Sequence, residues 1–140
     1  MVSEKIKEIN DTLDMFPTSL MTLEYLVDLG KKAVKEFPEE DRTEVNFIHG
    51  CTSSAWIKLL NNDPIQIKTV SDSLIISGIL YLLEKTFNGE PRSSIDEYDG
   101  QDLIDGFGLD GHISTQRLRG FAAAVKMMKG TDEKNSTQNR

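Results

Sequence analysis

Cys51 is the one thiol of this chain, and it stands in the stretch FIHGCTSSAWIKLL, residues 47–60. A thiolate is a strong nucleophile and a thiol is not; a free cysteine with a pKa of about 8.5 supplies only a few per cent of the thiolate at neutral pH. Without helpful neighbours a single cysteine is a small apolar residue. Gly50 directly before it admits a backbone conformation closed to other residues and lets a reaction partner come close to the sulfur. Thr52, Ser53 and Ser54 add hydroxyl donors nearby. His49, two residues back, has two readings. It is either a base or cation toward Cys51, as a cysteine hydrolase would need, or a solvated loop residue whose side chain diverges from Cys51 at a tight glycine turn. Trp56 is a packing residue of core or rim, or a cover over the cysteine loop.

The rest of the composition narrows the chemistry. With His49 and His112 the only histidines, a four-ligand cage of cysteine and histidine cannot be assembled, and no metal or other cofactor is expected. A single cysteine makes no internal disulfide, in keeping with a reducing compartment. The net charge of −7 argues against nucleic acid, whose phosphates require clustered Lys and Arg. No run approaches the ~20 apolar residues that span a bilayer. MVSEKIKEIN alternates charges where a signal peptide would be continuously apolar, so the expectation is a soluble, cytoplasmic protein with no membrane association.

The elements that must position Cys51 follow from periodicity. Ile6, Ile9, Leu13 and Phe16 recur three or four apart, predicting a first helix capped by Ser3 and closed by Pro17. Thr18 caps a second helix carrying Leu20, Leu23, Leu26, Val27 and Leu29, with Gly30 as its expected end. After a charged loop over 37–46 the period changes to two. Residues 53–60 and 65–70 alternate and flank the turn signal NNDP, predicting an antiparallel hairpin. A third helix, apolar on nearly every side from Leu74 to Leu83, begins at a cap on Asp72 or Ser73; Gly78 inside it predicts a close helix–sheet contact. Short helical turns are expected around Ile95 and Leu103. Ser114 caps a last helix with Leu118, Phe121, Ala122, Val125 and Met128 on one stripe. One domain over 1–129 and a disordered polar tail over 130–140 are the expected organisation.

Taken together these segments resemble a known family. Arg42, Asn46, Ile48, Gly50, Cys51, Ser53 and Trp56 form RxxxNxIxGCxSxxW, similar to the signature of SufE and its paralogue CsdE, sulfur acceptors that partner cysteine desulfurases. YLVDLG over 25–30 looks like the family's second helix. Ser71, Asp72, Ile75 and Gly78 match its SDxxIxxG block, and His112, Ile113, Ser114, Arg117 and Gly120 its HLSxxRxxG block. Ala55 stands where the family usually has valine and Ser77 where it usually has a basic residue, and the region 99–111 lacks the usual tryptophan.

The resemblance implies an α+β fold, a small antiparallel β-sheet packed against helices, shared with the iron–sulfur scaffold IscU. A scaffold role would need about four ligands, mainly thiolates, and one cysteine is present. It further implies that Cys51 takes persulfide sulfur from a SufS-like or CsdA-like cysteine desulfurase and passes it to iron–sulfur cluster assembly on a downstream scaffold. His49, Gly50, Ser53 and Trp56 would then support the loop, and Phe47, Ile48 and Trp56 would shelter the sulfur. Arg117 and Arg119 lie in the first turn of the last helix, where its dipole offers a cation nothing. A carboxylate among Asp102, Asp105 and Asp110, or a partner surface, would compensate. The rival readings are a stand-alone cysteine-dependent enzyme using Cys51 with His49, and a non-catalytic regulator of a desulfurase.

Overall fold

A computed structural model describes the backbone of residues 1–138 and the side chains through residue 130. Five α-helices, α1 (Val2–Asp14), α2 (Ser19–Glu36), α3 (Leu74–Phe87), α4 (Gly100–Phe107) and α5 (Thr115–Gln138), surround a hairpin of β1 (Ala55–Asn61) and β2 (Gln66–Ser71). The strands pair antiparallel, with Ala55 opposite Ser71, Ile57 opposite Thr69 and Leu59 opposite Ile67. The expected α+β class is therefore found, with a sheet of two strands among the described residues.

α3 is the central element, and its sequence dictates this. Ile76, Ile79, Leu80, Leu82, Leu83 and Phe87 are all buried, so apolar residues leave little of its surface for water. On one side it packs against α2, on the other along β2. Phe107 and Phe121 meet edge to face at 6.1 Å and carry the core on between α4 and α5.

A two-stranded sheet leaves open edges, and a buried edge must find partners for its amides. Side chains of α3 and of Asn88 just after it supply them for β2. The Ile67 amide donates to Asn88 Oδ1 at 2.7 Å, the Thr69 amide to Glu84 Oε2 at 2.8 Å, and the Ser71 amide to Ser77 Oγ at 2.7 Å. Ser77 Oγ also donates to the Ser71 carbonyl at 2.9 Å. A long basic side chain at 77 could not make this paired contact in a fully buried position, which accounts for the small hydroxyl there.

Glu84 has a consequence for stability. Its side chain is almost fully covered, with 7% of the residue exposed, and burial pushes its carboxyl up to about 7, against the pull of the two Thr69 bonds. Glu36 repels the charged form as well, while Lys68 favours it. Between 4.5 and about 7 the unfolded chain has released this proton and the fold retains it, so the group's contribution to stability falls as pH rises through that window. The total is about 3 kcal/mol. Glu84→Gln keeps an oxygen for both Thr69 donors and cannot ionise. Urea unfolding at a series of pH values should find the variant gaining on wild type from pH 4.5 to 7; a constant difference would contradict the assignment.

The element boundaries correct several sequence expectations. Met1, not Ser3, precedes α1, and the N-terminus carries no side-chain cap. Thr18 does cap α2, accepting from the Met21 amide at 3.2 Å. Gly30 does not end that helix, which runs on to Glu36. A Cβ on Gly30 would overlap the Leu74 carbonyl oxygen, so the glycine is there for helix packing. Gly78 likewise faces the Leu26 backbone of α2, not the sheet. Ser73 caps α3, accepting from the Ile76 amide at 3.3 Å, and Asp72 is turned to another purpose. The turns around Ile95 and Leu103 are a 3-10 helix over Arg92–Glu97 and α4. The backbone of α5 runs to Gln138, into the segment 130–140 expected as a polar tail. Residues 139–140 of that expected tail lie outside the described residues.

Candidate functional site

Cys51 sits at the tip of a loop, residues 49–54, whose two ends are held tightly. Phe47 pairs with Trp56 as an antiparallel bridge, and the Ile48 amide donates to the Ala55 carbonyl at 2.8 Å. Ile48 and Ala55 are both fully buried, so the base of the loop is part of the core. The Ser54 carbonyl accepts from Ser71 Oγ at 2.8 Å and from the Asp72 amide at 3.0 Å, tying the far end to the junction of β2 and α3.

The tip itself is different. Gly50 has φ +97°, in the left-handed region that side chains avoid, and a Cβ there would meet nothing within 4 Å. Its glycine is needed for the backbone angle, not for space. From this bend the half-buried Cys51 turns inward against the core and onto α5, where the nearest atoms to a Cβ on Gly120 would be the sulfur, Cβ and Cα of Cys51. Burial pushes the thiol pKa up, so thiolate at rest is scarcer than in a free cysteine. Alkylation by iodoacetamide near neutral pH should therefore be slower for the folded protein than for the chain in urea, with the difference closing as pH rises past the folded thiol's pKa. Equal rates at neutral pH would contradict the burial.

The flanking residues divide into those that shape the loop and those that face solvent. Trp56 is half-buried, stands edge to face with Phe47 at 5.8 Å, and has the Arg42 guanidinium over its ring at 5.2 Å. Arg42 also pairs with Asp72 at 3.2 Å, which is the purpose of Asp72. Asn46 donates to the Asp41 carbonyl at 2.8 Å, and Asp41 pairs with Lys58 at 2.7 Å. Phe47 and Trp56 thus wall the loop base, while the sulfur itself leans on α5, a neighbour that the local sequence does not announce. Ser53 is half-buried beside the tip.

His49 is 74% exposed on its side chain, lies 3.4 Å from Glu44, and stacks edge to face on Phe47 at 4.9 Å. Its interaction partners among the described residues are Glu44 and Phe47. His112 is structural: its Nδ1 meets Ser19 Oγ at 2.9 Å and ties the start of α5 to α2. Arg117 is half-buried and Arg119 exposed. Neither forms an ion pair with Asp102, Asp105 or Asp110 among the described residues; Asp105 accepts from Gln101 Nε2 at 2.8 Å, and its proximity pushes the pKa of Asp110 up. Beside the loop, Glu44, Val45, Phe47, His49, Ala123 and Met127 border an open groove of about 210 Å³, with Val45 87% exposed at its rim.

Among the described residues no three Cys, His, Asp or Glu side chains converge on a common point. The site is a single sulfur on a bend, held by a helix.

The sequence matches the family model of SufE, the Fe-S metabolism associated domain, over residues 7–131. The chain belongs to the SufE family. An uncharacterized SufE-like protein of Rhizobium meliloti (strain 1021) is 31% identical over 114 residues, covering 78% of this chain and 81% of that protein. Another, of Rhizobium etli, is 32% identical over 110 residues, covering 75% of this chain and 74% of its own length. The cysteine desulfuration protein SufE of Wigglesworthia glossinidia brevipalpis is 28% identical over 107 residues, with 75% and 74% covered. The solution structure of a hypothetical protein from Thermus thermophilus superposes with a TM-score of 0.73 at 21% identity, over 98% of this chain and 99% of that one, and shares the fold. Among the described residues no helix is long and apolar enough to cross a membrane.

Proposed function

We propose that this SufE-family protein is a sulfur acceptor, in which Cys51 takes sulfane sulfur from the persulfide of a SufS-like or CsdA-like cysteine desulfurase and hands it on to iron–sulfur cluster assembly in the cytoplasm. The observation that carries this reading is the placement of Cys51 at the tip of a loop that is anchored at both ends and bent at Gly50. A structural cysteine needs no such support. A carrier does, because its sulfur must be covered at one time and presented at another.

The step is an exchange at divalent sulfur. The Cys51 thiolate attacks the terminal sulfur of the donor persulfide; the new S–S bond forms as the old one breaks, and the donor cysteine leaves as a thiolate that takes up a proton. The product is a Cys51 persulfide, and no outside oxidant or reductant enters. Rate in such exchanges follows the thiolate fraction of the attacking group and the acidity of the leaving thiol. Burial keeps that fraction low at rest, so docking has to bring the loop out. The exposed Val45 and the groove beside Phe47 and His49 offer an approaching protein apolar surface beside the loop that carries Cys51. Arg117 and Arg119 offer charge to a partner on the helix that seats the thiol.

Two observations weigh against a self-sufficient thiol enzyme. His49 engages Glu44 and Phe47, and the Cys51 thiol is pushed up in pKa where a hydrolytic nucleophile would be pushed down. Intact-mass measurement after incubation with a cysteine desulfurase and cysteine tests the proposal. The expected result is a gain of one sulfur atom, located at residue 51 and removed by a reductant. An unchanged mass, with the desulfurase turning over beside it, would overturn it.

A further inference from the structure

We propose that Gly120 is the positioning residue of this site: its missing side chain is the seat that holds the Cys51 sulfur against α5 in the resting protein. This rests on the sulfur-acceptor reading for its purpose, though not for its geometry. Gly120 is buried in the interior of α5, between Leu118 and Phe121 on the core-facing stripe. Glycine at an ordinary helical position is destabilising relative to alanine, so something must require it. The backbone angle does not, since Gly50, Gly89 and Gly108 are the glycines of positive φ among the described residues. Space does. A Cβ at 120 would overlap Cys51 Sγ and lie 3.2 Å from Cys51 Cβ and 3.5 Å from its Cα.

What distinguishes this glycine is the identity of the obstacle. At Gly30 and Gly78 an added methyl would strike the backbone of another helix, which cannot step aside. At Gly120 it would strike the tip of a loop that is one residue from a left-handed glycine with open space around it. The cheapest relief is for Cys51 to leave. The seat therefore acts on the thiol through its surroundings: seated, the sulfur is covered and its ionisation is penalised; unseated, it meets water and ionises as an ordinary cysteine does. α5 is then the element that a docking partner has to compete with for the sulfur.

Gly120→Ala tests this in the protein alone. The expected variant unfolds cooperatively, alkylates at Cys51 with iodoacetamide several-fold faster than wild type near neutral pH, and has its alkylation profile moved to lower pH. A folded variant with an unchanged profile would overturn the proposal, because a purely structural role would alter stability and leave thiol acidity alone. A double-mutant cycle covers the case in which the variant folds poorly. Removing the sulfur by Cys51→Ala should reduce the stability loss caused by Gly120→Ala, and an undiminished loss in that background would overturn the proposal equally. Neither measurement involves a desulfurase. Failure of sulfur loading in wild type and Gly120→Ala alike, with the alkylation shift present, would sink the acceptor reading and leave the seat standing.

Discussion

A Cys51→Ser protein is expected to bind a cysteine desulfurase as wild type does, to gain no sulfur, and to leave desulfurase turnover at its unassisted rate. Serine replaces sulfur with a smaller oxygen and keeps the rest of the side chain, so the loop, its anchor through Ile48 and Ala55, and the contact with α5 all survive. What is lost is the nucleophile: a hydroxyl stays protonated at neutral pH, and no base addresses residue 51 to activate it. The effect is therefore all-or-none in transfer and near zero in stability and binding. Pull-down or calorimetry for binding, sulfide release for turnover and intact mass for loading read the three quantities separately. A regulator that works by contact alone predicts the opposite pattern, with stimulation intact in Cys51→Ser. Retained stimulation would therefore remove sulfur transfer from consideration.

Gly78→Ala is expected to cost the fold at least about 3 kcal/mol, above the ordinary range for single substitutions. α2 and α3 cross with Gly30 and Gly78 at their contact. A Cβ on Gly78 would overlap the Leu26 carbonyl oxygen and lie 2.6 Å from its carbon, while a Cβ on Gly30 would approach Gly78 N at 3.1 Å. Backbone stands against backbone, so no rotamer change relieves the overlap, and the two helices have to separate. Separation opens the most buried layer of the core, where Leu26, Ile79, Leu80 and Leu83 are fully covered. The better helix propensity of alanine returns about 1 kcal/mol, which is too little. For a domain of this size the loss corresponds to a fall in Tm of roughly 10 °C, measurable by calorimetry. A variant within about 2 °C of wild type, on the same linear scale, would mean that the crossing is looser than described.

The two glycines also mark where sequence reasoning went astray. Gly30 follows a strongly periodic apolar run, precedes Lys31 and Lys32, and so carries every local mark of a helix end. A second helix laid across it reverses the meaning, because a packing requirement and a terminating requirement choose the same residue. Gly78 was legible as a close contact, and only the identity of the neighbour was missed. Asp72 sits at a good capping position; Ser73 takes that role, with Ser71 Oγ accepting from its amide at 3.1 Å, and Asp72 reaches Arg42, thirty residues back in the chain. Ser77 reads as an odd polar residue in an apolar helix until β2 is laid beside it.

The amino-acid order by itself determined the hairpin, the central apolar helix, the cap at Thr18 and the bend before Cys51. Each of these depends on residues within a few positions of one another, through side-chain period, capping chemistry and the backbone freedom of one glycine. Only the tertiary structure decided that α5 lies over the sulfur, that α3 lends its side chains to the open edge of β2, and that His49 turns to Glu44. The first two join residues far apart in the chain, 51 with 120 and 69 with 84, and local pattern does not encode which distant surface a folded core will bring into reach. The third is a choice among near neighbours, settled by how the anchored loop aims the ring.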